Sequence, residues 1–118
     1  MDVSSRTAQL CIAGTQAEFE RRIDDARRLF GEAWDAATDD WDAAMAAHYV
    51  AHLEPDPHEA LRWHAIALER AQRDERAEEF MGSLLVSLGG AYETVGDSAK
   101  ADHYFELAAR RGVRHFKG

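Results

Sequence analysis

Apolar and small residues recur along this chain at helical spacing, and three stretches share one register. Gly14, Ala26, Phe30 and Ala33 form the first; His48, Ala60, His64 and Ala67 the second; Gly89, Ala101, Phe105 and Ala108 the third. Steps of twelve, four and three residues separate the members each time, and the blocks are offset by 34 and then 41 residues. A repeat of that length marks an array of helical hairpins. No alternating apolar–polar stretch bounded by turn residues suggests a strand. The pattern predicts six helices, at about 5–20, 23–37, 40–53, 57–73, 76–94 and 98–111.

Start and stop signals support those boundaries. Asp56, Pro57 and Glu59 supply in order an N-cap, a first-turn proline and a capping-box carboxylate. Thr38-Asp39-Asp40 offers a cap candidate and acids at the positive end of the following helix. Gly96-Asp97-Ser98 ends one helix and caps the next. The connections are short, so sequential helices run antiparallel and pair into three hairpins. Gly14, Gly89, Ala26, Ala60 and Ala101 let backbones approach, and Phe30 and Phe105 fill the space beside them. The seven extra residues before the third block fall in 72–79, which lacks proline and glycine, and read as added helical turns.

Composition narrows the class. The 118 residues suit one domain spanning 1–118, with 46% hydrophobic and 31% charged residues. No apolar run reaches membrane-spanning length, so no membrane association is expected. The start, Met1-Asp2-Val3-Ser4-Ser5-Arg6, lacks the basic and apolar regions of a secretory signal. Cys11 is the single cysteine, which leaves no intrachain disulfide and no cysteine-based zinc site and fits a cytoplasmic setting. A formal net charge of -8 opposes binding to phosphate backbones, so nucleic acid is not an expected partner. Arg21-Arg22 and Arg27-Arg28 are interleaved with Asp24-Asp25 and form no basic face. The acid surplus mildly favours cationic partner peptides.

The third block can be written Leu85-x-x-Leu88-Gly89-x-x-Tyr92-x-x-x-Gly96-x-x-x-x-Ala101-x-x-x-Phe105-x-x-Ala108. It resembles a tetratricopeptide repeat at each signature position but the last, where Val113 stands in place of the usual proline. The first block is similar through Leu10, Ala13, Gly14, Ala17, Ala26, Phe30 and Ala33. The second departs most, with His48 where a small residue is usual and His64 where an aromatic is usual. The repeats cover about 7–40, 41–74 plus a seven-residue insertion, and 82–113.

This resemblance implies an all-α, right-handed α-solenoid of three antiparallel helix hairpins whose first helices line a concave groove. It also implies that the groove receives a peptide or helix of another protein, with no enzymatic activity and no cofactor. The matching groove positions are Cys11, Thr15 and Glu18 in the first repeat, and Asp42, Met45, Tyr49 and His52 in the second. In the third they are Ser83, Val86, Gly90 and Glu93. Members that grip chaperone tails hold a peptide carboxylate with lysine and asparagine; neither residue type occurs among these positions, which argues against that activity.

Histidine is the residue type that could carry site chemistry. His48 and His52 lie four apart and project about 40° from one another on a helix, and the resemblance sets His64 across from His48. One reading makes His48 and His64 interior side chains bonded to each other or to backbone, with His52 in the groove. The other places a metal ion among His48, His52 and His64, with Glu54 or Asp56 nearby. His58-Glu59 with His64 is similar to the zinc-protease helix, but that chemistry requires a second histidine at position 62, which is Arg62.

Cys11 has no neighbouring base and reads as a small hydrophobe. Gly89 and Gly90 lie within a helix and read as close-packing sites. Trp34, Trp41 and Trp63 read as covers over seams between hairpins. Met45 and Tyr49 are the favoured partner contacts, with Tyr49, His52 and Glu93 setting orientation. No base–nucleophile pair or phosphate loop is present, so an enzyme is not expected. The alternatives to peptide binding are a homo-oligomeric assembly subunit joined through an end face, with the last hairpin's outer face and Phe116 as candidates, and a metal- or pH-responsive module built on His48, His52 and His64.

Overall fold

The computed structural model describes residues 2–113. Six α-helices follow one another: α1 Arg6–Phe19, α2 Ile23–Ala36, α3 Asp40–His52, α4 Pro57–Ala71, α5 Met81–Thr94 and α6 Ser98–Arg110. Among the described residues there is no strand, and no helix is long and apolar enough to cross a membrane. Phe116, a candidate for the end-face contact between copies, and the rest of the tail beyond 113 lie outside the described residues.

Side-chain oxygens start most of these helices. Ser5 accepts from the Ala8 amide, Asp39 from Asp42, Asp56 from His58 and Glu59, and Asp97 from Lys100. Each satisfies an amide that has no partner within its helix. The capping box at α4 is only half built, because Glu59 accepts from Arg62 instead of reaching back to Asp56. Gly96 and Gly112 take positive φ after α5 and α6, where a side chain would be strained.

The segment 72–79 corrects the expected long helix. Helix α4 stops at Ala71, and a 3₁₀ segment, Glu75–Phe80, leads into α5. Asp74 causes the break: its carboxylate accepts from the Arg76 amide and guanidinium, and that pairing holds the acid down to about 2. A side chain that captures a local amide competes with helix continuation. Ala77 turns fully into the core between α4 and α5, and Glu78 pairs with Arg111 beyond α6.

Helices pack as three sequential pairs, α1 with α2, α3 with α4 and α5 with α6, and α2 meets α3 as α4 meets α5. Alanines at the contacts explain the close approach: Ala17, Ala26, Ala33, Ala44, Ala46, Ala47 and Ala67 are all fully buried. The largest cluster joins the second and third hairpins through Leu68, Met81, Leu84, Leu85 and Leu88. Two smaller clusters, around Leu10 with Cys11 and around Phe30, hold the first hairpin. Trp34 touches both the main cluster and the Leu10 cluster and meets Trp63 edge-on at 5.1 Å. These two indoles close the seam between α2 and α4. Trp41 lies under Arg76, 4.7 Å from its ring, with its indole nitrogen buried and unpartnered.

The repeated register corresponds to one repeated contact. A Cβ on Gly14 would meet the Phe30 ring at 2.4 Å, and one on Gly89 would meet Phe105 at 2.6 Å. Each glycine is a seat for the ring of its partner helix. Gly90 behaves otherwise: a Cβ there would meet nothing within 4 Å, so it is not the close-packing site expected.

Candidate functional site

Positions 34 residues apart on α1 and α3 lie side by side. Glu18 Oε2 is 2.8 Å from His52 Nε2 and ties the ends of the two helices together. One turn earlier, Tyr49 stacks on Phe30 of the first hairpin at 5.0 Å. Its ring also borders a hollow of about 350 Å³ with Cys11, Ile12, Thr15, Gln16, Ala8 and Val3. Three expected groove residues, Cys11, Thr15 and Tyr49, therefore meet in one cavity, and the wall they share is mostly apolar.

Two expected groove residues are themselves buried. Cys11 is 2% exposed, packed with Leu10, Ala33 and Ala46. Burial, with a smaller contribution from Asp42, pushes its thiol up to about 12, so it is a packed hydrophobe and no nucleophile. Asp42 is 4% exposed and accepts a long hydrogen bond from the Ser5 hydroxyl, 3.4 Å, linking the starts of α1 and α3. Burial and the nearby Asp39 raise its pKa, and the Ser5 hydrogen bond opposes them. Met45 is half-buried. Of the third-repeat positions, Ser83 and Glu93 are exposed, while Val86 and Gly90 are half-buried.

A second hollow, about 500 Å³, opens between the second and third hairpins, bordered by Glu54, His64, Ser87, Gly90, Glu93 and Thr94. Gly90 stands at the position equivalent to Tyr49, and its missing side chain leaves this seam open where Tyr49 fills the other.

His48 and His64 do face one another across the middle hairpin, ring centroids 5.8 Å apart with planes inclined by 58°. They occupy the seat held by Gly14 with Phe30 and by Gly89 with Phe105. The Nδ1 atom of each is buried and meets no hydrogen-bond partner, which corrects the expectation of a mutual or backbone bond. His52 reaches for Glu18 rather than for them, and among the described residues no three His, Cys, Asp or Glu side chains converge to hold a metal ion. The metal cluster of His48, His52 and His64 is therefore not assembled.

Comparison with protein-family models, with curated proteins and with solved structures finds no match.

Several surface residues went unnoticed in the sequence. Ile12 and Phe19 are 57% and 85% exposed, and Val3 and Ile23 are also exposed. All four belong to the first hairpin, so the open apolar end lies there. Near the end of the last hairpin, Val113 packs on the start of α5, where a Cβ on Gly82 would meet its Cγ2 at 2.5 Å. The missed signal was legible. Ile12 and Phe19 are seven apart on α1, on the side opposite Leu10, Gly14 and Ala17, where a surface helix carries polar residues. Between Arg6 and Glu18, α1 contains no charged residue. Its outward face is thus uncharged over most of its length, as at the core of a binding surface.

Proposed function

We propose that the chain is a right-handed, tetratricopeptide-like stack that binds a peptide or helix of a partner protein along the face shared by α1, α3 and α5, and that it catalyses no reaction. The hollow where Cys11, Ile12, Thr15 and Tyr49 meet carries this reading. Its apolar wall would bury one or two partner side chains, while Tyr49, with His52 and Glu18 beyond it, would orient the partner backbone. Helix pairs in short-loop succession and the threefold seat register support the repeat architecture. A cytoplasmic setting accords with the lone buried thiol.

The test is a displayed-peptide selection on the whole chain, repeated on a variant carrying Ile12→Glu and Thr15→Arg. Both side chains are exposed, so the variant should melt as wild type does. Peptides enriched on wild type should bind the variant at least about tenfold more weakly. Equal binding, or no enrichment at all, would remove the groove reading.

The exposed apolar side chains Phe19 and Ile23, at the turn of the first hairpin, favour self-association through that hairpin as a second reading. Sedimentation equilibrium with Phe19→Lys decides it: a dimer that dissociates supports assembly, and a wild-type monomer rejects it.

A further inference from the structure

The middle hairpin departs from its neighbours at the seat between its helices. In hairpins one and three a glycine receives an aromatic ring, and the contact is indifferent to pH. In hairpin two both members are imidazoles, 5.8 Å apart with their planes inclined by 58°, and both Nδ1 atoms are buried and unpartnered. A neutral pair can occupy such a seat. A charged pair is disfavoured there: both half-buried imidazoliums would lose part of their hydration, and two would repel across a few ångströms.

We propose that His48 and His64 form an acid-sensitive latch that closes α3 on α4 when neutral and opens the middle hairpin when protonated. Opening would disturb the groove, because the His48 ring also meets Tyr49, at 5.9 Å, and Tyr49 carries the stack on Phe30. That consequence for binding rests on the groove reading; the latch itself does not.

The surrounding charges do not relieve the pair. On α3, His52 lies one turn from His48 and would repel it when protonated, and its ring is engaged with Glu18 of α1. In the α3–α4 turn, Glu54 borders the hollow that His64 also lines, but it faces Arg27 of α2 at 3.8 Å. Glu93 of α5 borders the same hollow. Burial is the leading influence on both imidazoles and lowers both; His48 and His52 add to it at His64, which is brought to about 4.

The direction of the effect follows. Both histidines take up protons more readily unfolded than folded. Their stabilising influence is therefore complete above pH ~6.5, falls as the pH drops from there toward about 4, and levels off below. Net negative self-repulsion changes the other way over that range, since acidification reduces it. A loss of stability on mild acidification is thus a signature of the pair.

The protein itself supplies the pH-inert replacement: His48→Gly with His64→Phe recreates the seat of the other hairpins. Denaturant melts of wild type and this double variant from pH 8 to pH 5 should diverge on acidification, with wild type losing at least roughly tenfold in folding equilibrium constant, after allowance for the partial exposure of His64. Amide hydrogen exchange in wild type, corrected for intrinsic rates, should rise in α3 and α4 before α5 and α6. A constant difference between the two proteins across that range, or exchange that rises uniformly in all three hairpins, would overturn the proposal. Should the double variant not fold, NMR titration of the wild-type ring protons decides: both rings titrating well below 6.5 support the latch, and ordinary titration rejects it. His52→Gln, as a control, should leave the pH dependence in place.

Discussion

The first and second hairpins of this protein occupy equivalent places in the chain and close by opposite chemistry. Helix α1 meets α2 through a glycine that admits a fully buried phenylalanine ring; α3 meets α4 through two histidines at the same register. The glycine seat is apolar, closely packed and complete in itself. The histidine seat leaves two buried nitrogens without partners, which costs stability that the main leucine cluster on its far side offsets. A stack of helix pairs that contact chiefly their neighbours can thus hold its architecture while one pair carries a less complete seat.

Removing the ring is the harshest way to break the comparison. Phe30→Ala should destabilise by about 3–5 kcal/mol. Phe105→Ala in the third hairpin should cost only about 2 kcal/mol, because that ring is half-buried. Equal losses in urea unfolding would mean that the two seats are the same and that Tyr49 adds nothing over Phe30.

Filling the seat comes next. Gly89→Ala drives a methyl group into Phe105 and should cost about 1–3 kcal/mol. Gly90→Ala, one residue on and facing open space, should instead stabilise by roughly 1 kcal/mol through helix propensity. Thermal melts of the pair check whether the register or merely the glycine matters; both moving the same way would refute the seat.

The middle hairpin can be converted to the pattern of its neighbours by halves. His64→Phe alone places a larger ring against His48, and His48→Gly alone leaves a void. Together they should be more stable than the sum of the single changes by about 1 kcal/mol at pH 8, measured as a double-mutant cycle. Additivity would show that the two imidazoles do not share one seat. The smallest effect belongs to His52→Gln, which removes an exposed contact with Glu18 and should change stability by less than about 0.5 kcal/mol. A larger loss would mean that the α1–α3 link, rather than the buried pair, governs how the first two hairpins hold together.

Much of this architecture was legible in the residues. The register of Gly14 with Phe30 and Gly89 with Phe105 marked the seats, and the caps at Asp39, Asp56 and Asp97 marked three helix starts. Asp74 was a start signal of the same kind, passed over because no glycine or proline stood beside it. Of the groove positions that the resemblance supplied, Cys11, Thr15 and Tyr49 border one hollow, whereas the burial of Cys11 and Asp42 depended on how closely α3 approaches α1. Periodicity states which side of a helix faces inward, not how far a neighbour covers it.

By itself, then, the sequence determined the helices, their pairing and the repeated seat, because these follow from local hydrogen bonding and from side-chain size at fixed spacing. Tertiary structure alone decided three things. It left the apolar residues of α1 uncovered at the first hairpin, made Gly90 a gap where Tyr49 is a wall, and turned His52 to Glu18 while the Nδ1 atoms of His48 and His64 stayed buried and unpartnered. Each of these depends on which surfaces of separate hairpins meet, and no spacing within one helix specifies that.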